Sequence, residues 1–452
     1  MIFFKKVNMS YIIAIITLVL LAVLTLYQIK IWKLRVLLSP AFYFSIMWMM
    51  GPLGCLVLYP LGFFYDPYPE YINELNVLVG VTSICFLFWT KKGRSSICES
   101  SILLDISKNN VFNFLCCLIL LAALYDFMSL GGNLNMGAAR ENLQEINASR
   151  STLVGYAHVL CIPLSFYAGY ILCRNLVDKS IAGSSILFIP LFANLIFSVN
   201  VGGRVDIIYS FMAYIMGASL YLAINTNLSR YKKPITFIMI GIAIFIGFIN
   251  FVGQQRDEYY NGTINPTEEY LQKNNKMLAT IYGPIAYLNA TYIGYQLRRV
   301  DAVDEDYLGY GRYTFNGFIN WTIPFGSLFG LGNASIAKSF DIYYDPQETY
   351  DFKREFFYTT HSCYLTMIKD FGFGGSIFLI FFLTGIAHKF FIGIQKRHII
   401  KYATSLYLYY LFWDYWAKSP FYGHLSQGIL MPLYGFLLLD IFNFIAGKKR
   451  SK

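Results

Sequence analysis

Long apolar stretches separated by short polar breaks dominate this chain. A helix needs roughly 20 apolar residues to span a bilayer, and about eleven stretches here reach that length. The short alternating segments of a membrane β-barrel do not occur in the sequence. The pattern therefore predicts an all-α integral membrane protein, a polytopic bundle of about 11 transmembrane helices (11–12). The predicted spans are residues 10–29, 40–63, 72–90, 111–130, 152–173, 181–200, 205–226, 235–252, 363–391, 402–418 and 427–446.

Lysines and arginines cluster in every second connection between these spans. Cytoplasmic loops of membrane proteins carry such an excess. One orientation places all the basic segments and the C-terminus in the cytoplasm, and with an odd number of spans it places the N-terminus outside. Only Lys5 and Lys6 oppose it. The basic segments are Lys30, Lys33 and Arg35; Lys91, Lys92 and Arg94; Arg174 and Lys179; Arg230, Lys232 and Lys233; Lys396, Arg397 and Lys401; and Lys448, Lys449, Arg450 and Lys452.

The longest polar segment, residues 253–361, then lies on the non-cytoplasmic side. Loops of such length in a compact protein are usually functional. We predict that it is partly helical, with a turn at Gly309-Tyr310-Gly311-Arg312. Its apolar part, Leu278 to Leu297, could count as a twelfth span, but a span there would invert everything after it, so we favour a surface or re-entrant helix. No separable soluble domain is evident, and residues 1–452 are predicted to form one domain.

Composition supports the membrane assignment. Hydrophobic residues make up 56% and charged residues 14% of the 452 positions, which excludes an ordinary soluble domain. The formal net charge of +10 does not indicate nucleic acid binding, because most of the basic residues lie in the short loops described above. The eight cysteines include no CxxC pair and lie mostly within spans, where they pack as small apolar side chains.

Arginines outside the cytoplasm are the main candidates for anion binding. Gly202 and Gly203 precede Arg204 where a span begins. Glycines allow close backbone approach, and both a helix N-terminus and a guanidinium favour phosphate. The alternative is a tight turn whose arginine reaches the lipid headgroups. Arg140 and Arg150 either bind the same anion or pair with glutamates in their own loop.

Carboxylates accompany the arginine at the start of the long segment. Asp257 and Glu258 follow Arg256, so they are either its salt-bridge partners or a general base beside an anion-binding arginine. Arg312, at the predicted turn, is a further candidate for binding.

Two other charged groups are less informative. Arg298, Arg299 and the acidic residues 301–306 resemble a solvated run that compensates its own charge. His158 lies inside a predicted span and is more often a hydrogen-bonded interior histidine than a catalyst.

His361 is the first candidate for a catalytic base. It ends the polar segment and precedes an apolar helix, which Lys369 to Gly375 interrupts before a second apolar run begins. The pattern predicts a histidine near the outer surface of a bent helix, where a neutral imidazole accepts a proton near pH 7. The alternative is an N-capping or interface histidine. Asp370 could cap the helix that follows the interruption.

The layout resembles the O-antigen polymerases of the Wzy type, also called oligosaccharide repeat unit polymerases, and more distantly the O-antigen ligases. The resemblance covers most of the chain. It includes the many spans, the turn Gly202-Gly203-Arg204 before a span, one dominant late loop and the stretch from His361 to Gly375. It implies a GT-C-like bundle in the bacterial inner membrane, with the long loop and the active site facing the periplasm.

The family's activity, by resemblance, transfers a growing glycan from undecaprenyl diphosphate to a sugar hydroxyl of a new lipid-linked unit. Diphosphate is a good leaving group, so arginines can neutralise its charge and no metal or other cofactor is required in principle. The partners are then the undecaprenyl-diphosphate-linked oligosaccharide and membrane lipid; whether a chain-length regulator protein binds is left open. We expect His361 to be the base with Asp257 and Glu258 in reserve, and the diphosphate and glycan to be held by Arg140, Arg150, Gly203, Arg204, Arg256 and Arg312.

Two rival functions use the same lipid-linked sugar. An O-antigen ligase transfers it to lipid A core, and a flippase carries it across the membrane. A transporter places charges along a path that reaches both faces, whereas these arginines concentrate outside. The first outer loop offers only Asp66 and Glu70 and no tight pair of aspartates, which argues against the metal-dependent lipid-linked glycosyltransferases.

Overall fold

The computed structural model describes residues 2–58, 69–92, 110–129, 152–177, 184–200, 205–224, 362–395 and 403–417, with short pieces within 291–299, 308–315, 350–357 and 419–441. Over these residues the chain is mainly helical, with turns at 310–311, 314–315 and 419–420 and one antiparallel ladder, β1 (Tyr350–Asp351) with β2 (Phe356–Phe357). The helices are α1 (Ile2–Trp32), α2 (Pro40–Leu58), α3 (Pro69–Lys92), α4 (Asn110–Ser129), α5 (Thr152–Val177), α6 (Ile189–Asn200), α7 (Val205–Ile224), α8 (Cys363–Gln395) and α9 (Ala403–Ala417).

Each of these helices falls on a span predicted from hydropathy, which confirms a helical protein suited to a membrane. Within the described part of the chain, four stretches are long and apolar enough to cross a bilayer: Tyr11–Trp32, Glu70–Lys91, Phe112–Ser129 and Cys363–Ile394. The predicted spans 235–252 and 427–446 lie outside the described residues, apart from a few positions of the second. The total number of spans and the periplasmic loop stay predictions.

The exposed faces of the long helices are apolar. On α1, Ile12, Ile16, Val19, Val23 and Leu26 recur every three or four residues, and all of them are exposed. Such a stripe is unfavourable in water but suits hydrocarbon, because a bilayer solvates apolar side chains and leaves the backbone bonded within the helix. The stripe is the surface expected of a helix that faces lipid.

Two compact units make up the fold. The first, unit 1, comprises residues 1–96, 264–393 and 411–430, and the second, unit 2, comprises residues 97–263, 394–410 and 431–452. Unit 1 contains α1–α3 and most of α8, and unit 2 contains α4–α7. Whether these two units together form the single domain predicted for residues 1–452 stays a prediction.

Buried polar contacts fix the helix directions in unit 1. Thr17 Oγ1 donates to the carbonyl of Asn76 at 3.1 Å, and Gln28 Nε2 donates to Thr90 Oγ1 at 2.7 Å. The two bonds pair early residues of α1 and α3 and then late ones, so these helices run parallel. Ser39 Oγ, just before α2, donates to Gln28 Oε1 at 2.8 Å, and Thr25 Oγ1 bonds Ser45 Oγ of α2 at 2.8 Å, so α2 runs antiparallel to α1.

The later part of α8 runs in the same direction as α1 and α3. Trp89 Nε1, near the end of α3, donates to the carbonyl of Phe381 at 3.1 Å, and the two rings lie 4.9 Å apart. Trp32, at the end of α1, packs edge-on against Phe391 at 5.1 Å. Successive membrane spans cross the bilayer in opposite directions. The first, third and ninth predicted spans, which contain α1, α3 and α8, must therefore run in the same direction.

A break at Gly372 divides α8. Its φ of 66° and ψ of −179° are not helical, and this backbone region is open essentially to glycine alone. The finding confirms the bend predicted between Lys369 and Gly375. It also leaves the first part of α8 free to take its own direction within unit 1.

Unit 2 is held by a close crossing of α5 and α7. A Cβ atom at Gly169 would clash with the carbonyl oxygen of Tyr214, and one at Gly217 would clash with that of Phe166. Each glycine follows another small residue by four positions, Ser165 on α5 and Ala213 on α7. Small residues at this spacing let helix backbones approach in membranes, where packing replaces the hydrophobic driving force.

We expect Gly169→Ala and Gly217→Ala each to lower the thermal stability of the detergent-solubilised protein by several degrees, because overpacking a close crossing costs about 1–3 kcal/mol. Gly155→Ala is the matched control, since it lies on α5 and its Cβ would meet no atom within 4 Å. The midpoint of thermal unfolding, followed by size-exclusion chromatography, checks this. Equal midpoints for all three variants would contradict the crossing.

Candidate functional site

The residues predicted to act on the substrate lie outside the described residues: Arg140, Arg150, Gly203, Arg204, Arg256, Asp257, Glu258, Arg312 and His361. Their convergence therefore stays a prediction. Described residues do lie next to two of them in the chain. Ser362 follows His361, and Gly311 precedes Arg312, so the surroundings of these neighbours define the candidate site.

The start of α8 is held by hydrogen bonds inside unit 1. The backbone N–H of Cys363 donates to the carbonyl of Ser419 at 2.9 Å, and Trp48 Nε1 donates to the Ser419 hydroxyl at 2.7 Å. The Tyr364 and Thr82 hydroxyls lie 2.7 Å apart. Trp48 also packs on Tyr364, with the ring centroids 5.4 Å apart.

These partners place the start of α8 level with the middles of α2 and α3. Trp48 and Thr82 lie near the middles of α2 and α3, and Ser362 through Met367 are fully buried. The prediction of a position near the outer surface concerns His361, which lies outside the described residues. The helix after it begins where Trp48, Thr82 and Ser419 offer buried partners, which local hydropathy does not reveal.

The predicted turn at 309–312 packs on the break in α8. Tyr310 and Gly311 have positive φ angles of 50° and 93°, which confirms a turn there. Gly309 N–H donates to the carbonyl of Lys369 at 2.9 Å, and Tyr310 N–H donates to that of Asp370 at 3.1 Å. A helix that breaks at Gly372 leaves carbonyls in its last turn without helical donors, and the turn supplies donors for two of them.

Asp370 secures the same turn with its side chain. Its carboxylate Oδ2 accepts the backbone N–H of Thr314 at 2.6 Å, and the residue is fully buried. The sequence suggests Asp370 as a cap for the second part of α8. It caps the 311–315 turn, where a buried carboxylate meets a backbone donor.

An ion pair joins the polar segment to the beginning of α3. Arg299 Nε and Nη2 donate to Glu74 Oε1 and Oε2 at 2.8 and 3.3 Å, and Tyr295 OH donates to Oε1 at 2.5 Å. The guanidinium lies over the Tyr71 ring, 5.4 Å from its centroid. We call Tyr71, Glu74, Tyr295 and Arg299 the anchor cluster.

The electrostatics of the anchor cluster favour a charged arginine. Burial alone would lower the pKa of Arg299, but the hydrogen bond and negative charge of Glu74 outweigh it and raise that pKa. The side chain of Arg299 is only 15% exposed, so the prediction of a solvated, self-compensating run is wrong for this residue. Its partner lies 225 positions earlier in the chain and is invisible to local charge patterning.

Glu74, the carboxylate of the anchor cluster, is not among the site residues predicted from the sequence. It lies inside the predicted span 72–90, and an ionisable residue within a span is a functional candidate by default. That position was sufficient to single it out.

Tyr292 connects the anchor cluster with the start of α8. Its hydroxyl donates to Asn76 Oδ1 at 3.0 Å, and its ring lies 6.2 Å from that of Trp48. Gly51 makes room for the ring, since a Cβ atom there would clash with it. Tyr292 is fully buried, so this part of Leu278–Leu297 packs inside unit 1. Whether the whole stretch is a surface helix, a re-entrant helix or a twelfth span stays a prediction.

The described contacts hold parts of the polar segment, residues 253–361, against α3 and α8. Within the described residues, no group of three histidines, cysteines or carboxylates is placed to hold a metal ion. Elsewhere, His158 Nε2 lies 3.0 Å from Asn194 Oδ1, and its ring stacks on Phe197, as the interior interpretation predicts.

No family model, curated protein or solved structure matches this chain. The function of this chain is therefore inferred from its sequence layout and from the geometry of unit 1.

The break in α8 can be tested with two neighbouring glycines. We expect Gly372→Ala to destabilise the protein by about 1–3 kcal/mol, because alanine resists this backbone conformation. Gly374→Ala is the control, since its Cβ also meets no atom within 4 Å and its backbone is helical. The midpoint of thermal unfolding is measured for both. Indistinguishable variants would contradict a glycine-dependent break.

Proposed function

We propose that this chain is an oligosaccharide repeat unit polymerase of the Wzy type in the bacterial inner membrane. It joins lipid-linked repeat units of O-antigen or a similar surface polysaccharide at the periplasmic face. The observation that carries the proposal is one polar segment in an otherwise apolar helical chain, whose described parts are anchored to α3 at one place and to the α8 break at another. This arrangement supports a substrate-binding loop docked on a membrane bundle.

In the proposed reaction, each bond that forms or breaks and the proton that moves can be assigned to the substrates and to residues of this chain. The acceptor hydroxyl oxygen attacks the anomeric carbon of the growing glycan, and the bond from that carbon to the diphosphate oxygen breaks. The diphosphate leaves with the electron pair, and its charge is neutralised by arginines. The hydroxyl proton passes to His361, with Asp257 or Glu258 as the alternative base. The arginines in this proposal are Arg140, Arg150, Arg204, Arg256 and Arg312.

The geometry at the start of α8 supports His361 as a residue of the site. Ser362 and Cys363, which follow it, are fully buried and held by Ser419 and Trp48. A base must be held within hydrogen-bond reach of the proton it takes, and a firmly held neighbouring backbone favours this. Nothing in the described residues specifically favours ligase or flippase activity, so these are outcomes of the test.

Purified protein reconstituted in liposomes with lipid-linked repeat units should form polymer without any other protein. Arg204→Ala should lower the rate roughly 10²–10³-fold, as the loss of one electrostatic donor does. Arg174→Ala, at the predicted cytoplasmic end of α5, is the matched control and should keep the normal rate. The readout is the glycan ladder on a gel.

Each rival has its own outcome in this experiment. Transfer only when lipid A core is added would indicate a ligase, and movement of the substrate across the bilayer without polymer would indicate a flippase. A normal rate in Arg204→Ala with normal expression would remove that arginine from the site.

A further inference from the structure

We propose that Glu74 is a positioning residue for the transfer reaction: it fixes the 291–299 segment so that Tyr292 and Trp48 hold the start of α8. The inference rests on the proposed function, since it concerns how that reaction is positioned. It assigns a role to a carboxylate of α3 that the proposed chemistry does not use. Glu74 acts through other residues and is not proposed to touch the substrate.

The Glu74 carboxylate is committed to one segment of the chain. Oε1 accepts both the Tyr295 hydroxyl and Arg299 Nε, and Oε2 accepts Arg299 Nη2. Tyr295 and Arg299 are four residues apart, so they lie on one face of a helical turn. Donors from two points on the segment fix its rotation as well as its position along α3.

The energetics of buried ion pairs favour a geometric role for this pair. Desolvation offsets most of the attraction between two buried charges, so such pairs contribute little stability compared with apolar side chains of the same volume. Both side chains here are mostly buried, at 15% and 17% exposure. Compared with apolar packing, the ion pair adds one defined register between the polar segment and α3.

A continuous series of buried contacts leads from this pair to α8. Tyr292, one helical turn before Tyr295, bonds Asn76 and packs against Trp48. Trp48 packs on Tyr364 and bonds Ser419, whose carbonyl accepts the Cys363 N–H. A shift of the 291–299 segment would therefore move the ring that supports Trp48.

The simpler interpretation is a brace that only stabilises the fold. A brace, when weakened, lowers the amount of folded protein but leaves kcat per folded molecule unchanged. A positioning residue lowers kcat, because a misplacement of about 1 Å at the reacting atoms can cost on the order of 10²-fold in rate. The KM for the lipid-linked donor should stay nearly constant, since Glu74 does not bind it.

The test measures kcat and KM per folded protein in reconstituted liposomes for wild type, Glu74→Gln, Arg299→Gln and the double variant. We expect each single variant to lower kcat about tenfold or more. The double variant should lose no further activity, because both singles break the same interaction. Arg299→Lys, which keeps the charge, should recover part of the loss.

Thr90→Val is the matched control at the other end of α3. It removes the buried hydrogen bond from Gln28 at 2.7 Å and should lower thermal stability while leaving kcat unchanged. Should Glu74→Gln fail to fold, Tyr295→Phe removes a single hydroxyl from the same carboxylate, and its kcat should fall several-fold.

The outcomes separate this inference from the proposed function. Polymer formation by wild type with an unchanged kcat in Glu74→Gln or Tyr295→Phe would overturn the positioning role alone. Losses that add up in the double variant, or an equal fall in kcat for Thr90→Val, would also overturn it. A wild-type protein that forms no polymer would overturn the function and the positioning role together.

Discussion

Polar groups buried in an apolar bundle must find partners within the protein, and this constraint organises unit 1. An unpaired donor or acceptor is costly wherever bulk water is excluded. Trp48 is the clearest case, because its indole N–H bonds Ser419 while Ser419 accepts the first N–H of α8. The start of α8 lies where those partners are, at the middles of α2 and α3. Depth in the bundle is thus set by hydrogen-bond supply as much as by hydropathy.

The same constraint explains how the polar segment attaches. The break at Gly372 releases carbonyls of α8, and the 309–310 backbone supplies donors for two of them. Glu74, inside α3, pairs with Arg299 and Tyr295 of the same segment. Each attachment joins a group that the apolar helices leave unsatisfied to a group on the polar segment. Helix breaks and isolated charges within spans therefore become the docking points for a loop.

Hydropathy and glycine placement predicted a large part of this fold. The helices of the described residues coincide with predicted spans, and the break before Gly375 and the turn at Gly309–Gly311 follow from local sequence. These features depend on neighbouring residues only. The depth of α8, the burial of Tyr292 and the pair of Glu74 with Arg299 depend on partners hundreds of positions away, and no local pattern contains them. The roles of the candidate catalytic residues were predicted in a different way, from their chemistry and from the family resemblance, and not from a local sequence pattern.

We propose that the polar segment and the start of α8 together position a glycosyl-transfer site in the half of unit 1 toward the beginning of α3. The most direct measurement is a cryo-EM structure of the protein in lipid nanodiscs with an unreactive lipid-linked repeat unit. We expect the diphosphate in that half, beside arginines of the polar segment and within reach of His361. A diphosphate bound at the opposite end of α3, beside Lys91 and Lys92, would overturn this proposal.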